Sequence, residues 1–123
     1  MQINIPEILA EVTAAHDRYE AALASNDVDI LDELFWQSPH TLRYGVTENL
    51  YGFEQIAAFR AGRAAPGPRR VTRCVVTCYG RDFATTNLEY QRDGDTRIGR
   101  QSQSWARMEQ GWRIVAAHVS VML

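Results

Sequence analysis

The chain has 123 residues, 46% of them hydrophobic and 23% charged, which fits one globular domain over residues 1–123 and excludes a disordered or fibrous protein. Its formal net charge of -2 includes no basic run, so nucleic acid is not an expected partner. No apolar stretch approaches the roughly 20 residues of a bilayer span, and MQINIPEIL lacks the order of a signal peptide, so a cytoplasmic protein without membrane contact is expected.

Pro6 is placed as the first-turn proline of a helix that the spacing predicts to about Ser25. Its apolar stripe is Ile8, Val12, Ala15, Tyr19 and Ala22 or Leu23, at steps of three and four, so Tyr19 points inward. Asn26 and Asp27 break and recap the chain, and VDILDELFW predicts a second helix with Ile30, Leu31, Leu34 and Phe35 inward, ended by Pro39. Short strands are predicted at Thr41 to Tyr44 and Thr47 to Tyr51, then a third helix over FEQIAAFRAGR. AAPGP, Ala64 to Pro68, reads as a connecting loop. Four long strands follow, at Arg69 to Tyr79, Phe83 to Gln91, Thr96 to Glu109 and Trp112 to Val121, the last three as a meander. Three amino-terminal helices followed by an antiparallel sheet define an α+β domain. Strands of this length bend, and helices packed on a curved sheet leave a cone-shaped pocket.

All 13 basic residues are arginine, so Schiff-base and serine-lysine mechanisms are excluded. Arg43 lies on a short strand between Leu42 and Tyr44, where a pocket arginine would select an anion and could not abstract a proton. The alternative is an arginine paired with a neighbouring carboxylate or lying at the sheet edge. Tyr19 is either a core aromatic or a donor that keeps its proton at neutral pH and can give it to developing charge. Tyr19 and Arg43 together form the principal candidate site.

The remaining candidates are supporting ones. Trp36, Ser38 and His40 occupy the helix-to-strand corner where a pocket rim is expected, and each has an equally good structural reading. Arg73 either binds a second carboxylate or lies on a solvated or dimer face. Gln101 and Gln103 share a strand face with Trp105, where they could hydrogen-bond a ligand carbonyl or form a polar ladder. His118, alternating with Trp112, Ile114 and Ala116, either faces the pocket or fills the core. His16, His40 and His118 are scattered without metal-ligand spacing, so no metal or cofactor is expected. Cys74 and Cys78, four apart on one strand, stand about 13 Å apart at roughly 3.3 Å per residue, too far for a disulfide. Both are expected to fill the core. Apolar residues on both faces of the last strand point to a homodimer.

The order of elements resembles the NTF2-like, or SnoaL-like, superfamily, which includes ketosteroid isomerase and many non-catalytic binding domains. LFWQSPHTLRYGVTENLYGFEQIAAFRAGR and GRQSQSWARMEQGWRIVAAHVS resemble, more closely, the AtzH-like family of cyanuric acid and s-triazine catabolism. That resemblance implies a decarboxylating hydrolase or decarboxylase that converts 1,3-dicarboxyurea to urea-1-carboxylate (allophanate) and carbon dioxide without a cofactor. It also implies a small dicarboxylate substrate and functional association with an amidase of the same pathway. Arg43 falls about where ketosteroid isomerase carries its Asp base, which argues against isomerase chemistry. The competing reading is a non-catalytic ligand-binding or accessory protein.

Overall fold

The computed structural model describes residues 1–123. Helix α1, Pro6–Ser25, starts on its proline and buries Ile8, Val12, His16, Tyr19 and Ala22 along one stripe. It stops where Asn26 turns left-handed at φ 53°, returning its N–H to the last turn. Asp27 then caps α2, Val28–Leu34, by accepting the Ile30 N–H at 3.3 Å.

The second helix ends sooner than Pro39 alone would require. Phe35 is extended (ψ 133°) and forms a parallel bridge to Ile114, while the Trp36 N–H donates to the Ile114 carbonyl at 3.0 Å. Pairing with the sheet supplies what further helical turns would have given, and it buries the Phe35 ring completely.

Strands β1, Leu42–Tyr44, and β2, Asn49–Tyr51, form a hairpin that leads into α3, Phe53–Gly62. Four long strands complete the chain: β3, Arg70–Tyr79; β4, Phe83–Gln91; β5, Gly99–Met108; and β6, Gly111–Val121. They form one six-stranded sheet in the order β2-β1-β6-β5-β4-β3. All pairings are antiparallel except β1 with β6, where Arg43 lies beside Ala117. The meander therefore also includes β3. The end of its free edge is covered by the amino-terminal segment, where Asn4 exchanges backbone and side-chain hydrogen bonds with Cys78.

The core lies between the helices and the inner sheet face, with Val12, Leu31, Phe35, Trp105 and Ile114 at its centre. Two bulges set which residues share that face. On β6, Ser104 pairs with Ala116 but Trp105 pairs with Ile114, so Val115 is unpaired and the alternation shifts by one. On β3, Thr72 is unpaired between Val71 and Arg73. No helix is long and apolar enough to cross a membrane.

Candidate functional site

Tyr19 and Arg43 line one cavity of about 70 Å³ between α1, the inner sheet face and the Pro66 loop. Tyr19 arrives from the buried stripe of α1, its ring edge-on to Phe35 at 6.2 Å between centroids. Its hydroxyl makes no hydrogen bond within the protein. Arg43 arrives from β1 because it opposes Ala117, whose small side chain leaves room on the inner face.

Three further arginines share this wall: Arg63, Arg69 and Arg92. Arg69 is held from below by Glu20, whose carboxylate accepts from Arg69 Nη2 at 2.7 Å and from Gln101 Nε2 at 3.1 Å. Gln101 Oε1 also accepts from Arg69 at 3.2 Å, which closes the triangle. The Arg69 guanidinium lies 4.7 Å from the Tyr90 ring centroid, and Arg92 lies 5.5 Å from the same ring. Arg92 Nη1 donates to the Pro66 carbonyl at 2.8 Å and so ties the loop to the sheet.

Arg43 is not without a carboxylate of its own. Its Nη1 donates to Glu48 Oε1 at 2.7 Å across the β1–β2 turn, the pairing with a neighbouring carboxylate that the sequence allows. Thr47 donates to the other Glu48 oxygen from hydroxyl and backbone, at 2.6 and 3.2 Å. Burial acts to raise the Glu48 pKa, but hydrogen bonds from Thr47 and Arg43 outweigh it and hold the carboxyl below its ordinary range. Gly45 makes this contact feasible, since a Cβ there would stand 1.7 Å from Glu48 Oε1.

Four guanidiniums against the carboxylates of Glu20 and Glu48 leave two net positive charges around the cavity. Two of their nitrogens, Arg63 Nε and Arg69 Nη1, are buried with no acceptor. Desolvated donors of this kind are costly unless an anion completes them. The wall is therefore chemically complementary to a small dianion. At about 70 Å³ it holds roughly two waters' worth of space.

Of the other sequence candidates, only Gln101 reaches this cavity. Trp36 stacks on His40 at 6.2 Å, and Ser38 Oγ accepts the His40 N–H at 3.1 Å, all at the corner beside the start of α3. That corner borders a separate open groove of about 720 Å³, because extended Phe35 carries the segment away from Tyr19. Arg73 points to the outer sheet face, opposite Glu89. His118 is exposed on that same face, its ring 5.7 Å from Tyr44, because the Val115 bulge turns it away from Ile114. Gln103 is sealed in a buried ladder, accepting from Thr86 Oγ1, which itself accepts from Trp105 Nε1. Gln101, two residues earlier on the same face, is the glutamine that reaches the cavity.

Arg63, Arg69, Arg92 and Glu20 carried no signal stronger than a lysine-free charge count. Arg63 and Arg69 flank AAPGP, and that loop turns out to be a cavity wall. His16 is buried beside Glu20, with Nε2 3.8 Å from its carboxylate, and Cys74 Sγ lies 4.0 Å from His16 Nδ1. Cys78 fills the core as expected, whereas Cys74 is exposed. No group of three His, Cys, Asp or Glu residues is placed to hold a metal ion.

Three helices on a six-stranded sheet, enclosing a pocket between helix and inner face, define the NTF2-like class. A solved structure of an NTF2-like superfamily protein from Salmonella enterica is similar, at 26% identity, 93% coverage of this chain, 90% of that one and a TM-score of 0.76. A family model described as AtzH-like matches residues 1–123, and the chain belongs to that family. A DUF3225-family protein of unknown function from Pectobacterium atrosepticum is 54% identical over 98% of this chain and 95% of its own, with a TM-score of 0.96. A cystatin-like fold protein from Burkholderia xenovorans is 46% identical over 99% and 97%, with a TM-score of 0.95. No curated protein matches the chain.

Proposed function

We propose that the chain carries the activity implied by its likeness to AtzH itself: conversion of 1,3-dicarboxyurea to urea-1-carboxylate and carbon dioxide in cyanuric acid breakdown, without a cofactor. The observation that carries the reading is the excess of two positive charges around Tyr19 and Arg43, matched to a dianion. In this reaction one N-carboxylate C–N bond breaks and carbon dioxide leaves. The electron pair goes to nitrogen and spreads onto the urea oxygen, and one proton is taken up at nitrogen. No nucleophile is required, so orientation and charge stabilisation suffice.

Arg43 holds the retained carboxylate or the urea oxygen, because gripping the departing carboxylate would stabilise the ground state more than the transition state. Tyr19, with its hydroxyl uncommitted, donates to the urea oxygen or the departing nitrogen. Purified protein supplied with 1,3-dicarboxyurea should release carbon dioxide above the spontaneous rate, and Tyr19→Phe and Arg43→Ala should each lower that rate at least about tenfold, equivalent to ~1.4 kcal/mol. Near-normal rates in both variants refute the assignment of these residues.

The existing Arg43–Glu48 pair favours a second reading, a non-catalytic binding or accessory protein for a neighbouring amidase. On that reading dicarboxyurea binds but is not consumed faster than in buffer.

A further inference from the structure

Among the arginines of the cavity wall, Arg63 is the one the protein leaves without any acceptor. Arg43 donates to Glu48, Arg69 to Glu20 and Gln101, and Arg92 to the Pro66 carbonyl. No protein oxygen accepts from Arg63, and its Nε is shut off from solvent with no partner. Burial first, and then the like charges of Arg43 and Arg60, lower its pKa. A guanidinium does not shed its proton in a protein, and Glu48 offsets these costs only in part, so an anion brought in from outside would relieve the remainder.

The position of Arg63 suits that role. It is the C-cap of α3, extended at φ -95° and ψ 154°, so its side chain leaves the helix just before the AAPGP loop closes over the cavity. Its guanidinium lies 5.7 Å from the Phe59 ring centroid, and that of Arg43 lies 5.6 Å from the same ring. One aromatic side chain therefore collects both cations. Arg43 commits only Nη1 to Glu48, leaving the rest of its fork for a ligand.

We propose that Arg63 receives the second carboxylate of a dicarboxylate ligand whose first is held by Arg43, and that this pair makes the cavity select dianions over monoanions. The inference deepens the dicarboxyurea reading by naming the residue that sets its charge requirement. It concerns binding and does not depend on turnover.

The test measures the affinities of glutarate and its half-amide, glutaramate, by calorimetry, and thermal unfolding without ligand. Wild type should bind glutarate at least about tenfold more tightly than glutaramate. Arg63→Gln should bring the two affinities within about twofold, and Arg63→Lys should restore part of the preference. The ligand-free Arg63→Gln protein should unfold at the wild-type temperature or above, because a half-buried cation with no protein acceptor has been removed. The proposal is overturned if wild type shows no preference for the dianion. It is equally overturned if Arg63→Gln lowers the unfolding temperature while keeping the preference, since Arg63 would then be structural. A preference intact in wild type and lost in Arg63→Gln, without any acceleration of 1,3-dicarboxyurea breakdown, supports the site and defeats the enzymatic reading alone.

Discussion

In the proposed reaction Glu48, already paired with Arg43, would compete with the substrate carboxylate for it. Both side chains are largely buried, at 12% and 18% exposure, so the pair is only partly screened by solvent. Because its folded pKa lies below the ordinary 4.5, the stability Glu48 contributes is present above that value and lost as pH falls through the folded pKa. Glu48→Gln removes the competing charge, and should lower KM for the anionic substrate several-fold while abolishing this acid-side loss of stability. Gly45→Ala should also change KM, since its Cβ must push the Glu48 carboxylate aside and would stand 2.9 Å from Arg43 Nη1. A rise in KM in both variants would mean that Glu48 orients Arg43 instead of competing for it. Of the principal pair, Tyr19 was legible because helical periodicity alone turns it inward, and Arg43 because its strand neighbours are apolar. Glu48 was not, since its contact depends on the conformation of the turn at Gly45.

The long strands show where reading by alternation breaks down. Strict period two places His118 with Ile114, but the unpaired Val115 shifts the phase, putting Ala117 inside and His118 outside. A bulge leaves no reliable mark in composition, so this error was built into the pattern. The ends of strands carried the cavity residues instead: Arg69 at the approach to β3, and Arg92 beyond the end of β4, gathered by the Tyr90 ring. Tyr90 lies flat against Gly99 on the paired strand, where an added Cβ would meet the ring at 2.2 to 2.5 Å. Gly99→Ala should therefore cost about 1–3 kcal/mol by overpacking and displace the ring that both arginines use. Denaturant unfolding checks the stability, and glutarate affinity checks the coupling to the cavity. An alanine variant with wild-type stability would show that the ring can move freely. Element order and type were legible throughout, while the end of α2 was not, because the bridge from Phe35 to Ile114 is a tertiary contact.

At the scale of the molecule, the buried charge network beneath the cavity makes stability depend on pH. Burial lowers the His16 pKa below 6.5, with Arg69 adding to this and Glu20 and Asp17 opposing it. The folded protein holds His16 neutral while the unfolded chain takes up the proton, so its contribution is present above pH 6.5 and lost as pH falls below it. The unfolding temperature of wild type should fall over that range, and His16→Leu should flatten the decline; an unchanged slope would remove His16 as the cause. The outer sheet face supports the proposal of a homodimer. Val75 and Phe83 are 44% and 41% exposed there, and a second copy would cover them. Sedimentation should show a dimer that Phe83→Glu dissociates, whereas a wild-type monomer would refute it. The family was legible from two sequence strings, yet the charge balance of the site became visible only once five elements converged on one cavity. The most direct measurement is carbon dioxide release from enzymatically generated 1,3-dicarboxyurea by the purified protein alone. Release above the spontaneous rate with accumulation of urea-1-carboxylate is expected, reduced at least about tenfold in Tyr19→Phe. Wild-type protein that leaves the spontaneous rate unchanged would contradict the proposed activity.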